Sequence, residues 1–222
     1  KSYGGGWGAT NTAAIVVAGY PVPAVTVEQW NGSAWTEVAE YNTARLGQAS
    51  FGTSYTSGLI AGGASPPRVA VAEQWNGSTW TEVNDLNEGR SYVAGSGLTT
   101  AGLAFGGSEP PPTGATEAWD GTSWTEVNDL GTARKDLGGA GASGTDGLAV
   151  GGDAPPKTAA TEEWTFSGIQ PTDAANYADA IIGDFYYNST TGQFKNISDG
   201  ISAGTWGSGG NMNTARYRMF GG

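Results

Sequence analysis

Residues 58–83 read Gly58-Leu-Ile-Ala-Gly-Gly-Ala-Ser-Pro-Pro-Arg-Val-Ala-Val-Ala-Glu-Gln-Trp-Asn-Gly-Ser-Thr-Trp-Thr-Glu-Val83. Gly58 to Gly63 is a short apolar run of the length and composition of a buried strand. Ala64 to Arg68 contains Pro66 and Pro67, which have no N–H to give to a ladder and mark a loop. Val69 to Trp75 is a second strand and Thr79 to Val83 a third, joined at Asn76-Gly77, a pair suited to the positive φ angles of a two-residue type I′ hairpin. Upstream, Arg45 to Gly52 is a small-residue strand and Thr53 to Ser57 a polar turn. Together these segments predict a four-stranded antiparallel meander.

The same unit recurs along the chain. Trp35, Trp80, Trp124 and Trp206 each stand ten residues ahead of an arginine, namely Arg45, Arg90, Arg134 and Arg216. Glu-x-Trp recurs as Glu28 to Trp30, Glu73 to Trp75, Glu117 to Trp119 and Glu162 to Trp164, and glycines fall in step at Gly19, Gly62-Gly63, Gly106-Gly107 and Gly151-Gly152. A motif repeating every 45 residues or so signals an array of one supersecondary unit. No stretch carries the apolar period of a helix, and 38 glycines in 222 residues disfavour long helices, so the expected class is all-β.

Parity in the last hairpin of each unit says how units stack. In the first copy Glu28, Trp30, Trp35 and Glu37 fall on one face, with Val25, Val27, Thr36 and Val38 on the other. Both faces carry large or branched apolar side chains, whereas a sheet with one wet face alternates apolar with polar. Two occupied faces predict blades sandwiched between blades, the radial stacking of a β-propeller.

The order of hydrophobic run, double glycine, aromatic residue, second Trp and Leu-x-x-x-Arg, here Leu59-Ile60, Gly62-Gly63, Trp75, Trp80 and Leu86 to Arg90, resembles the repeat of Kelch-type β-propellers. The resemblance covers residues 1–165 and 205–222. It departs in that Trp replaces the usual Tyr and the two Trp are closer than the family's aromatic pair, which implies a tighter hairpin. The expected fold is therefore a Kelch-like β-propeller of about four repeats, each a four-stranded antiparallel meander.

After Trp164 the Asn-Gly turn is missing, and the next Trp is Trp206, still ten residues before Arg216. The simplest account divides the chain into repeats at 1–165, an insertion at 166–204 in the hairpin between the third and fourth strands, and 205–222 as the return of the last repeat and the start of another. Such a blade should still close, because loop tips tolerate insertions. Within the insertion Pro171 to Asp179 reads as a turn or a single helical turn, while Ala180 to Asn188 and Gln193 to Ile197 flank Ser189-Thr-Thr-Gly192 as a hairpin. The string from Gly183 to Lys195 is similar to hairpin segments in tail-fibre and other structural proteins of tailed bacteriophages. With the Kelch-like repeats it resembles virion proteins of phages from aquatic habitats. That resemblance implies a virion or extracellular location, with other virion proteins or copies of the same chain as partners. It also implies host-surface glycan contact, for which Tyr186 and Tyr187 are the contact candidates. Lys1 to Gly8 aligns with Arg45 to Gly52, and Gly222 falls in the corresponding strand of a fifth copy, so the chain is expected to be part of a longer polypeptide or a processed product.

Composition narrows the chemistry. A net charge of −11, from 21 acidic and 10 basic residues, argues against phosphate backbones and anionic membranes, so no nucleic-acid partner is expected; with no long apolar span, membrane insertion is not expected either. With no His and no Cys there is no Ser-His-Asp triad, imidazole base or thiol nucleophile. The likeness to copper-radical oxidases built on Kelch propellers thus stops at the fold. No catalytic, cofactor or metal residue is assigned, and a non-enzyme is expected.

Acids and aromatics are the remaining candidates. Asp120-Gly121-Thr122-Ser123-Trp124 resembles a sialidase Asp-box, yet Asn31 and Asn76 hold the same place, which favours turn chemistry. Asp136, Asp146, Asp153, Asp173 and Asp184 are the acids outside the period. The periodic Glu28, Glu73, Glu117 and Glu162 either ring a channel and bind a cation such as calcium, or pair with the periodic arginines. Trp7, Tyr20, Tyr55, Tyr186 and Tyr187 stand outside the Trp pairs and offer stacking faces for sugars or partner proteins. Asn31, Asn76, Asn188 and Asn196 head glycosylation-type sequons that also suit turns. Pro-rich loops at Tyr20 to Pro23, Ser65 to Pro67, Glu109 to Pro112 and Ala154 to Pro156 should gather at one end of the propeller as a contact surface or as rigid turns. The function expected is a structural or adhesin component of a phage particle. The alternatives are a carbohydrate-binding propeller and a glycoside-acting enzyme.

Overall fold

The computed structural model describes residues 4–17, 19, 25–65, 67–108 and 110–165, and the backbone of three further strands at 185–188, 193–196 and 205–208. Blade 1 comprises β1 (Gly5–Thr10), β2 (Ala13–Val17), β3 (Val27–Trp30) and β4 (Trp35–Val38). Blade 2 comprises β5 (Ala49–Ser54), β6 (Ser57–Ala61), β7 (Ala72–Trp75) and β8 (Trp80–Val83). Blade 3 comprises β9 (Ala94–Leu98), β10 (Ala101–Phe105), β11 (Thr116–Trp119) and β12 (Trp124–Val127). Three strands of blade 4 follow as β13 (Gly138–Ser143), β14 (Asp146–Val150) and β15 (Thr161–Thr165). A two-stranded hairpin, β16 (Phe185–Asn188) and β17 (Gln193–Asn196), intervenes before β18 (Thr205–Ser208) completes blade 4 by pairing with β15. Each blade is an antiparallel meander in strand order, and the molecule is a β-propeller of four such sheets.

The fourth blade closes across the insertion as the spacing predicted. Trp164 faces Trp206 in register, just as Trp30 faces Trp35, Trp75 faces Trp80 and Trp119 faces Trp124 in the other blades. The β16–β17 hairpin also falls where Ser189 to Gly192 predicted a turn, with Asn188 opposite Gln193.

Two local expectations are corrected. The hairpin after Trp75 is not a two-residue type I′ turn, because Trp75 pairs with Trp80 and four residues lie between them. Gly77 alone takes positive φ, at 96°, while the Asn76 side chain accepts the N–H groups of Ser78 and Thr79, each at 2.9 Å. That side-chain cap does the work that two left-handed residues would do in a tighter turn. Strand β5 also begins at Ala49 rather than Arg45. Residues 45–48 instead cross from blade 1 to blade 2, with Gly47 left-handed at φ 65° and Leu46 bridged to Ala64.

Innermost strands pack in series, β1 on β5, β5 on β9 and β9 on β13; among the described residues β13 does not pack along β1. Glycine makes this approach possible. A Cβ on Gly95 would lie 2.6 Å from Phe51, and one on Gly139 would lie 2.5 Å from the Gly95 carbonyl. Between blades 1 and 2 the core holds Trp7, Ile15, Val17, Val27, Ile60, Trp75 and Trp80. The next joint is built on Phe51, Leu59, Ala104, Trp119 and Trp124, and the third on Leu103, Phe105, Ala149 and Trp164. The register puts Glu28 with Glu37 and Trp30 with Trp35 on one face of blade 1 and Val27 with Val38 on the other, but Trp35 is exposed there, so two covered faces are found in blades 2 and 3 and not in blade 1. An antiparallel meander places the turns between first and second and between third and fourth strands at one end. The loops between second and third strands, with the blade-to-blade crossings, lie at the other.

Candidate functional site

The repeated charged residues converge on one arrangement at each blade crossing. Arg45 Nη1 lies 2.6 Å from Glu73 Oε1, and Arg90 with Glu117 and Arg134 with Glu162 form the same pair. Each arginine leads into a blade and pairs with the third strand of that same blade. The glutamates do not form a ring around a channel in these three blades; the pairing alternative describes them. Arg216 lies outside the described residues.

The pair is embedded in further hydrogen bonds. Glu117 Oε2 accepts the Asn87 backbone N–H at 2.7 Å and the Asn87 side-chain amide at 2.8 Å. Glu73 makes the same set with Asn42 and adds the Thr43 N–H, whereas Glu162 takes the Gly131 N–H. Arg90 Nε donates to the Gly106 carbonyl at 3.2 Å and Nη2 to the Ala104 carbonyl at 3.3 Å. Buried charges persist only when paired and hydrogen-bonded in this way.

The double glycines complete the crossing. Gly63 N–H donates to the Arg90 carbonyl at 2.8 Å and Gly107 N–H to the Arg134 carbonyl at 2.9 Å, so each pair grips the crossing into the following blade. Gly62, Gly106 and Gly151 take φ of 69°, 65° and 62°, and Gly63, Gly107 and Gly152 take 118°, 111° and 110°. A side chain on Gly106 would also meet the Arg134 carbonyl at 2.7 Å. Conformation and space both require glycine there.

Paired tryptophans mark the opposite end. Trp30, Trp75, Trp119 and Trp164 donate their indole N–H to Asn11, Tyr55, Thr99 and Gly144, tying the third strand to the first hairpin of its own blade. Trp80 and Trp124 donate instead to Ala39 and Asn84 of the preceding blade, each at 3.0 Å. Trp80 sits edge-on to Trp7 and Tyr41, and Trp124 edge-on to Phe51. Burial raises the Tyr41 hydroxyl to about 12, against a smaller lowering by Arg45.

Several candidates resolve into turn and core roles. Trp7 is not an exposed stacking face but a core residue, its indole N–H held by the Ser54 carbonyl at 2.9 Å. Spacing carries no signal for this role because the inner-strand position is not periodic: Phe51, Ser96 and Ala140 stand at its equivalents. Tyr55 is 40% exposed. Asp120 accepts the N–H groups of Ser123 and Thr122 in its turn, as Asn76 does in its own, and the Ser123 bond foremost lowers its pKa. Asn31 caps its turn in the same manner. Asp146 caps the β13–β14 turn through Ser143, Asp136 is left-handed at φ 53°, and Asp153 bridges Lys135 and Lys157 by its backbone. These three acids do not come together, and among the described residues no cluster of three or more His, Cys, Asp or Glu could hold a metal. Tyr20, Asp173, Asp184, the segment from Pro171 to Asp179 and the side chains of Tyr186, Tyr187, Asn188, Asn196 and Trp206 lie outside the described residues. The connections that carry Pro67, Pro110 to Pro112 and Pro155 with Pro156 share the end that carries the blade crossings, and β16–β17 interrupts a connection at the other.

No family model and no curated protein matches the chain. Among solved structures the chain is similar to that of YjhT, a Kelch-repeat protein, with a TM-score of 0.64 and 12% identity over 98% of this chain and 67% of that one. None of these comparisons supports the phage resemblance of the insertion. What the likeness to YjhT establishes is the fold: the chain is an all-β propeller with Kelch-like four-stranded blades.

Proposed function

We propose that this chain is a non-enzymatic structural or adhesin component of a phage virion, of the fibre or decoration type, and that it acts outside the cell. The observation that carries this reading is the crossing repeated three times, in which Arg45, Arg90 and Arg134 are held by Glu73, Glu117 and Glu162. The periodic charges are thereby committed to holding sheets together, which suits a durable body rather than a reaction centre. The insertion between β15 and β18 supplies a separate two-stranded hairpin, and its sequence from Gly183 to Lys195 is what suggests a particle of phage type. Other virion proteins, copies of the chain and host-surface glycans are the partners proposed, with Tyr186 and Tyr187 as contact residues. Immunogold electron microscopy of particles from the native source tests this. Labelling at fixed stoichiometry on virions is expected, and particles that never carry the protein would remove the reading.

A carbohydrate-binding propeller is the second reading, favoured by the exposure of Tyr55 and Trp35. Binding on a glycan array, abolished by Tyr55→Ala, would select it.

A further inference from the structure

Three hairpin tips share one geometry and differ in chemistry. Asn31-Gly32, Asn76-Gly77 and Asp120-Gly121 open the turns between the paired tryptophans of blades 1, 2 and 3. In each turn one side-chain oxygen of the first residue accepts two backbone N–H groups: those of Ser33 and Ala34, each at 2.9 Å, of Ser78 and Thr79, each at 2.9 Å, and of Thr122 and Ser123 at 2.8 and 2.7 Å. The glycine that follows takes φ of 92°, 96° and 96°. All three first residues are exposed, Asn76 and Asp120 in blades that have a neighbour on either side, so solvent reaches the position because it lies at a tip.

The cap brings reactive atoms together. Because Asn76 Oδ1 reaches past Gly77 to the N–H groups beyond it, Cγ is folded back over the intervening Gly77 nitrogen. Gly77 has no side chain to crowd that approach, and its N–H, like that of Gly32, has no hydrogen-bond partner among the described residues. The two bonds donated to Oδ1 also draw electrons from Cγ and make it more electrophilic. From this arrangement we infer that Asn31 and Asn76 are sites of spontaneous covalent modification, deamidation through a cyclic imide. The glycine nitrogen bonds to Cγ as the Cγ–Nδ2 bond breaks, and the glycine amide proton passes by way of solvent to Nδ2, which leaves as ammonia. Water then opens the ring at one carbonyl or the other, giving aspartate or isoaspartate, with nothing oxidised or reduced. The chemistry is the same whether the propeller sits on a particle or binds sugars.

Blade 3 shows the fate of the first product. Asp120 already stands where deamidation would put an aspartate, keeps both backbone bonds and adds one from Ser123 Oγ to Oδ2 at 3.0 Å. Aspartate at 31 or 76 therefore fits the turn and adds one negative charge. Isoaspartate does not fit, because the main chain then runs through Cβ and Cγ, which lengthens the turn and removes the oxygen that caps it. The two asparagines also differ in how the departing group is held. Asn76 Nδ2 donates to Thr79 Oγ1 at 3.0 Å, whereas Ala34 stands in that place in blade 1 and offers Asn31 no hydroxyl. Asn31 is thus the faster site and Asn76 the slower.

Incubation for weeks in mildly alkaline buffer tests this with three proteins: the native chain, Thr79→Ala, and a double variant carrying Asn31→Asp and Asn76→Asp. Isoelectric focusing counts the charges gained, and peptide mass spectrometry that separates aspartate from isoaspartate locates them. The native chain should accumulate acidic bands, with conversion several-fold faster at Asn31 than at Asn76. Thr79→Ala should bring Asn76 up to the rate of Asn31. The double variant should melt close to fresh native protein, while the isoaspartate-bearing fraction of aged native protein should melt lower. If both asparagines stay intact in the native chain while the free peptides of residues 29–34 and 74–79 convert, the fold protects these turns and the inference is overturned. Equal rates at Asn76 with and without Thr79 would overturn the rate order, and a double variant melting well below the native chain would overturn the likeness to Asp120.

Discussion

The Arg90 carbonyl accepts the Gly63 N–H at 2.8 Å from the preceding blade, while the guanidinium of the same residue closes on Glu117 in its own. One residue thus fastens two sheets, with its backbone facing one and its side chain the other. The same double role falls to Arg134, between Gly107 and Glu162. Because the charge is fully buried, what it contributes is best seen by removing its partner.

Glu117→Ala should destabilise the fold by about 3–5 kcal/mol in urea denaturation, since it strands a buried guanidinium together with the Asn87 donors. Arg90→Met combined with Glu117→Leu should recover much of that loss, as apolar replacement of a buried pair often does. Neither the native chain nor the variant should respond to calcium or to a chelator. A calcium-dependent rise in melting temperature would return the glutamates to the role of cation ligands.

Gly106→Ala probes the other side of the crossing. Its φ of 65° and the 2.7 Å approach to the Arg134 carbonyl leave neither conformation nor space for a methyl group. A loss exceeding about 1 kcal/mol is expected, read as a lower urea midpoint at unchanged slope.

The propeller was legible because its joints are periodic. Trp75 with Trp80, Gly62 with Gly63, and Arg90 recur since neighbouring blades meet through the same surfaces, although the two covered faces read from β3 and β4 are found in blades 2 and 3 and not in blade 1, where Trp35 is exposed. What stayed hidden was set by contacts that vary between joints. Trp7 belongs to the core although its equivalents are Phe51, Ser96 and Ala140, and spacing carries no signal for a position whose size differs at every copy. The Asn76 turn was misjudged because the same dipeptide serves two loop lengths, and a side-chain cap to Ser78 and Thr79 decided between them. Equal spacing likewise set Trp35 beside Trp80, yet the first is 48% exposed and the second 7%.

Trp80→Ala should therefore cost about 3–5 kcal/mol, losing its edge contacts with Trp7 and Tyr41 and its bond to Ala39. Trp35→Ala should cost well under half as much, because Trp35 is 48% exposed. Equal losses would mean that Trp35 is covered.

Tyr41 and Asp120 set opposite limits on pH stability. Tyr41 is held protonated in the fold, with a pKa raised from 10.0 to about 12, so its contribution is complete below pH 10 and declines as pH climbs toward 12. Tyr41→Phe should remove that alkaline decline and cost about 1 kcal/mol near neutrality through loss of the bond to the Arg45 carbonyl. Asp120 is lowered from 3.8, so its contribution is present above pH 3.8 and disappears as pH falls through the lower folded value. Asp120→Asn should flatten the melting curve in that acid range with little change at pH 7, because Asn76 makes the corresponding bonds.

The insertion should be separable from the body that carries it. Trp164 and Trp206 meet in the same register as Trp75 and Trp80, so the intervening chain is a lengthened form of a four-residue turn. Replacing residues 165–205 by the Asn-Gly-Ser-Thr sequence of residues 76–79 should give a folded protein with its β-sheet circular dichroism intact. Its melting temperature should lie within about 2–4 °C of the parent, the shift expected for roughly 1 kcal/mol in a domain of this size. If the shortened chain fails to fold, the insertion is part of the fourth blade's structure and not an appendage to it. If it folds and, under the virion reading proposed above, fails to join particles, attachment to the particle resides in the β16–β17 hairpin.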